Sequence, residues 1–128
     1  VALTRPHRAS PALREALLER HELLLAAPAD HPLARLRAVP WARLHGVRAL
    51  LINPTANPNY GQFFLQTCAR HGARPEIDYA ADDLPTLLWL VSAGLGVCPC
   101  PSSLADSLPA GAVARPFRPR HRQMELVA

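Results

Sequence analysis

The stretch from Leu90 to Ser103, LVSAGLGVCPCPSS, places two glycines, two prolines and two cysteines side by side. Three chemistries compete for it: a phosphate-cradling loop, a thiol or metal site, and a plain junction between two structural elements. A phosphate loop needs its glycines after a strand and at the opening of a helix, where backbone N–H groups meet the anion. Gly94 and Gly96 come in the reverse order, after a helical run and before a strand, which is helix-stop placement. Cys98 and Cys100 have no second pair at zinc spacing, and their spacing is not that of thiol oxidoreductases. Two apart on a strand they share a face, near the upper limit of disulfide reach, so they read as small packed side chains. His31, His45, His71 and His121 fall on different elements with no two at ligand spacing on one helix, and no Ser, Cys or Thr sits in a nucleophile elbow. The sequence therefore supports no enzyme, no metal site and no cofactor.

One polar constellation survives. INPTANPNYG sets Asn53, Pro54 and Thr55 at the end of a strand, and Asn57, Asn59 and Tyr60 at the start of a helix, with Phe63 one turn on. AADDLPT repeats the arrangement further along. In open parallel sheets small ligands bind beyond the carboxyl ends of strands, where helix N-termini present unpaired N–H groups and partial positive charge.

The elements that would position these residues are marked at both ends. Asn57 is a suitable N-cap, Pro58 suits the first helical position, and Tyr60, Phe63, Phe64, Thr67, Cys68 and His71 recur at helical spacing until Gly72. Around Pro85 a second helix opens, with Leu84, Leu87, Leu88, Val91 and Leu95 as its apolar face. ELLLAAP, VRALLIN, PEIDYA and GVCPC read as strands, with VALT and ELVA as further strands at the termini. A short helix is expected from Val39 to Leu44, and PSSLADSLPAGAVARPFRPRHR is expected to be a connection returning to the last strand. Strands separated by helices of about a dozen residues predict an α/β fold with a mainly parallel, Rossmann-like sheet.

Composition narrows the class. The net charge of +4 comes from fourteen arginines and no lysine against ten acids, and the arginines are dispersed rather than striped, which argues against a direct nucleic-acid surface. No apolar run reaches the length of about 18 residues that a membrane span requires. VALTRPHRAS lacks the features of a signal peptide, and three cysteines make no disulfide framework; the expectation is a cytoplasmic protein.

APADHPLA, followed by CARHGARPEIDYAADDLPTLLWLVSAGLGVCPCPSS, resembles the effector-binding domain of LysR-type transcriptional regulators. The matching features are Asp30 to Ala34, the helix end from Cys68 to Pro75, the L-V-x-A-G-L-G run from Leu90 to Gly96, and Pro101 after it. The resemblance implies a two-lobed fold of the type II periplasmic-binding-protein kind. Residues 1–28 and 108–128 would belong to a first lobe that is incomplete here, and residues 29–107 would form the second. It implies a small-molecule effector between the lobes, often a carboxylate in this family, and a dimer or tetramer. DNA would be contacted only through an N-terminal helix-turn-helix not contained in these residues. On that arrangement Arg5 faces the second lobe and its charge meets the carboxylate, Thr55 adds a hydroxyl, and Tyr60 or Phe63 forms an apolar wall. A periplasmic-type solute-binding protein serving transport is the alternative. Pro99 stands where the family has an apolar strand residue, so its strand either lies at an edge or interrupts its ladder.

Overall fold

The computed structural model describes residues 22–56 and 58–122, giving the backbone alone at 58–60 and 121–122. The strands expected at VALT and ELVA, and the residues Arg5 and Asn57, lie outside the described residues.

Strand β1 (Glu22–Pro28) opens the described chain and buries Leu23, Leu25, Ala26 and Ala27. Two-residue β2 (Val39–Pro40) leads into a single 3-10 turn, Trp41–Leu44. The sequence suggested a helix over that whole segment; the residue before a proline is held in extended geometry, so Val39 pairs as a strand instead. Next come β3 (Arg48–Ile52), α1 (Pro58–Arg70), β4 (Glu76–Ala81), α2 (Leu84–Ser92), β5 (Cys98–Pro101) and β6 (Ala112–Arg122).

These strands form two sheets. β3 and β4 pair in parallel on either side of the α1 crossover, and Val97 adds an isolated parallel bridge to Ala49. The other sheet has the order β2-β6-β1-β5, with β1 antiparallel to both β5 and β6, and β2 parallel to β6. Parallel pairing thus occurs in both sheets, while β1 makes antiparallel pairs. β5 ends its sheet, so Pro99, opposite Leu25, occupies an edge where its missing N–H does least damage.

The long C-terminal segment differs from its sequence reading. Eleven of its residues form β6 despite Pro116 and Pro119. The prolines are accommodated by a register shift: Leu23 pairs with His121 and Leu24 with Pro116, while Phe117 and Arg118 between them pair with β2.

Burial follows helical spacing. On α1, Phe64, Thr67 and Cys68 face inward, and Thr67 donates its hydroxyl to the Phe63 carbonyl at 3.0 Å, which makes a buried polar side chain tolerable. On α2, Leu87, Leu88 and Val91 are buried, but Leu95, expected on the same face, is 50% exposed. The helix stops at Ser92 and Gly94, at φ +90, turns the chain away before Leu95. A single apolar cluster joins both sheets, with Trp41, Phe64 and Phe117 its largest members.

Candidate functional site

Two strands and two helices meet at one edge of the molecule. β3 and β4 run parallel, so both end on the same side, and Asn53 N–H donates to the Ala81 carbonyl at 2.8 Å, tying the two exits together. α1 begins at Pro58 and α2 at Leu84, each a few residues past its strand. The two helix N-termini, with their partial positive charge, consequently share the edge. Gly61 lets α1 lie close on β3: a Cβ there would stand 3.1 Å from Leu51 Cδ1.

The β3 exit is held by its own side chains. Asn53 Oδ1 accepts from the Thr55 N–H at 3.1 Å and from the Thr55 hydroxyl at 2.9 Å, and Ala56 N–H donates to the Asn53 carbonyl at 2.9 Å. Such an Asx turn fixes a loop that would otherwise be free to wander. Asn53 is half-buried, whereas Pro54 and Thr55 are exposed. Phe63 is half-buried and packs on the core. The structure therefore brings Asn53, Pro54 and Thr55 to the start of α1, which carries Asn59, Tyr60 and Phe63 in its first turns; the side chains of Asn59 and Tyr60 are outside the description, as are Arg5 and Asn57.

The β4 exit is acidic. Asp82 and Asp83 are exposed, and Asp83 caps α2, its Oδ1 accepting from the Thr86 N–H at 2.8 Å. The hydrogen bonds from Thr86, first of all from its backbone N–H, hold the Asp83 carboxyl below its ordinary value.

The other chemistry-bearing residues stay apart. Among the described residues no three His, Cys, Asp or Glu side chains group as metal ligands. His31 Nδ1 accepts from the Leu33 N–H at 3.0 Å, so its ring caps a 3-10 turn; desolvation lowers its pKa against the opposing pull of Asp30. His45 accepts the Arg74 N–H at 3.0 Å in a turn. Cys68, Cys98 and Cys100 are buried free thiols, and burial pushes Cys68 and Cys100 up to about 12. A thiol so protonated at neutral pH is a poor nucleophile.

Sequence reasoning missed a separate hollow of about 130 Å³ between α2 and the 3-10 turn Ser102–Ser107, lined by Pro85, Leu88, Trp89, Leu104, Ser107 and Pro109. Trp89, 64% exposed, forms its rim. The signal available was the lone Trp on the polar side of α2, visible only once the helix phase is known.

The LysR substrate binding domain model matches residues 1–128. The chain is 32% identical over 94 residues to the HTH-type transcriptional regulator CatR of Pseudomonas putida, covering 73% of this chain and 32% of that regulator. It superposes on the effector-binding domain of a BenM variant with a TM-score of 0.70 and 25% identity, covering 78% of this chain and 47% of that one. A BenM effector-binding domain with its effector benzoate matches with a TM-score of 0.68 and 24% identity, over 85% and 60% of the two chains. The chain thus spans about a third of the length of its curated relatives, which are named as transcriptional regulators. No helix among the described residues is long and apolar enough to cross a membrane. With the fold of LysR effector-binding domains, of the type II periplasmic-binding-protein kind, the chain belongs to the LysR substrate-binding domain family.

Proposed function

We propose that this chain is the effector-sensing part of a bacterial, cytoplasmic LysR-type transcriptional regulator, and that it binds a small carboxylate at the shared exit of β3 and β4. It catalyses nothing. The observation that carries the reading is the convergence of a fixed Asn53–Thr55 turn and two helix N-termini at one edge. The benzoate named as the effector of a BenM domain of the same fold supports the ligand class.

Residues 1–28 and 108–128 belong, on this reading, to the first lobe and residues 29–107 to the second. Arg5 meets the carboxylate from the first lobe, Asn53, Thr55 and the start of α1 hold it from the second, and Tyr60 or Phe63 covers its apolar part. Effector binding favours one of two arrangements of a dimer or tetramer by its differential affinity for them. DNA is reached through a helix-turn-helix in the whole regulator. The names of the curated relatives favour a regulator over a transport protein.

Calorimetric titration with benzoate tests the site. Saturable binding is expected, with a stabilisation of about 2.7 kcal/mol at a hundred times the dissociation constant. Arg5→Ala and Thr55→Ala should each lower affinity more than they lower the unliganded Tm. Unchanged affinity in both variants would remove this site.

A further inference from the structure

We propose that the sheet edge formed by β2 and β6 is a basic strip that holds the phosphate backbone of double-stranded DNA, a sequence-independent contact additional to that of a helix-turn-helix. The choice of DNA rests on the regulator reading above; the strip itself does not. Along the sequence the arginines are dispersed, and folding gathers them. β2 ends the sheet order β2-β6-β1-β5, with Val39 opposite Phe117 and Pro40 opposite Arg118. Arg37 and Arg43 each lie within three residues of Pro40, and Arg120 lies two beyond Arg118. Three residues span at most about 11 Å, so all four arginines start close to one ladder pair. Arg35 joins them through its neighbour: the Ala34 carbonyl accepts Arg115 Nε at 3.0 Å, which brings the 3-10 turn Pro32–Arg35 onto β6.

Little on this edge offsets the charge. Arg35, Arg37, Arg43 and Arg118 are exposed and form no ion pair among the described residues, and Arg120 stays 72% exposed while it meets Glu22 at 3.0 Å. Asp30 lies five residues before Arg35; the other described acids, Glu76, Asp78, Asp82, Asp83 and Asp106, stand on β4, at its exit or in the turn Ser102–Ser107. Beneath the strip, Phe117 is buried and stacked on Trp41, so its base is fixed. A guanidinium pairs with phosphate oxygens through two parallel N–H donors. Duplex DNA carries a charge about every 3.4 Å of axis on each strand, so a strip of this length meets several. A membrane surface would also require apolar side chains to enter it. The large exposed hydrophobics, Tyr79, Trp89 and Leu95, belong instead to β4, α2 and the turn after α2.

The test follows fluorescence anisotropy of a labelled duplex of arbitrary sequence, titrated with the 128-residue chain at several salt concentrations between about 50 and 200 mM. Affinity should fall with salt at a log–log slope of about −3, the value for roughly three neutralised phosphates. Arg37→Gln/Arg43→Gln/Arg118→Gln should cut that slope by more than half and weaken low-salt binding at least about tenfold. Arg48→Gln/Arg70→Gln/Arg74→Gln removes the same charge from β3, α1 and the turn before β4, and should keep most of the affinity. All six side chains are exposed, and melting curves check that both variants fold. Arg37→Gln and Arg118→Gln, made singly, should each lower the slope by about 1. No binding by the wild type, equal loss in the two triple variants, or tighter binding to phosphatidylglycerol vesicles than to the duplex overturns the inference. Benzoate titration reads the other site, so failure at either one leaves the other standing.

Discussion

The Trp41 indole lies flat against the Phe117 ring, with centroids 3.8 Å apart and planes 11° from parallel. Its Nε1–H donates to the Pro119 carbonyl at 3.1 Å, and its other neighbours, Phe64 and His71, come from α1 and the turn just after it. One side chain thus joins the 3-10 turn to β6 and α1. Trp41→Ala is expected to cost about 3–5 kcal/mol, the range for emptying a buried aromatic site. Trp41→Phe keeps a ring on Phe117 but leaves the Pro119 carbonyl without this donor, costing about 1–2 kcal/mol. Urea unfolding of the three proteins measures both, and equal stability of Trp41→Phe and wild type would assign the whole effect to packing.

The cysteines should behave as packing residues. Cys98→Ala and Cys100→Ala should each lower stability by about 1 kcal/mol, comparable to the loss of one buried methylene-sized group, and leave benzoate binding intact. Burial raises the Cys68 and Cys100 thiols from 9.0 to about 12, so the folded chain keeps its protons where the unfolded chain loses them. Their contribution is therefore complete below pH 9 and is lost as pH rises toward 12. A thiol reagent should label the native protein slowly at pH 8 and rapidly in denaturant; fast native labelling would contradict the burial.

Gly96 is required by a close approach. A Cβ there would lie 2.9 Å from the Arg48 carbonyl oxygen and 3.2 Å from Leu50 Cγ. That carbonyl accepts the Val97 N–H at 3.0 Å, and Val97 O accepts the Leu50 N–H at 2.7 Å, so a methyl group must push apart a hydrogen-bonded backbone. Gly96→Ala should cost about 1–3 kcal/mol, read as a fall in Tm, and a variant as stable as wild type would show that β3 yields easily.

Asp83 ties stability to acid. Its pKa is lowered by the Thr86 hydrogen bond in the folded chain, so its contribution is present above the ordinary carboxylate value and is lost as pH falls through the folded one. Asp83→Asn preserves a capping oxygen without titrating. Melting curves from pH 6 down to pH 3 should fall less steeply for Asp83→Asn than for wild type; parallel curves would show that other carboxylates carry the acid sensitivity.

Local features are legible from the residues alone. Pro58 and Gly72 bound α1 because a proline cannot donate and a glycine can turn at φ +75, and both preferences act whatever lies nearby. The strands around β1, β3, β4 and β5 were legible from their apolar runs, and the Asn53–Thr55 turn from its side-chain chemistry. Strand partners and register depend on the whole fold. Pro116 and Pro119 argue against a strand in any local reading, yet β6 forms because β1 and β2 supply ladders on its two sides and its register shift absorbs the prolines. Leu95 fits the α2 periodicity but not the fold, because the helix had already ended. The nearness of Asp82 to Asn53, 29 positions apart in sequence, likewise follows from one hydrogen bond between two strand ends. Spacing along the chain cannot encode such a relation, because strand pairing is settled by whole buried faces and not by either residue alone.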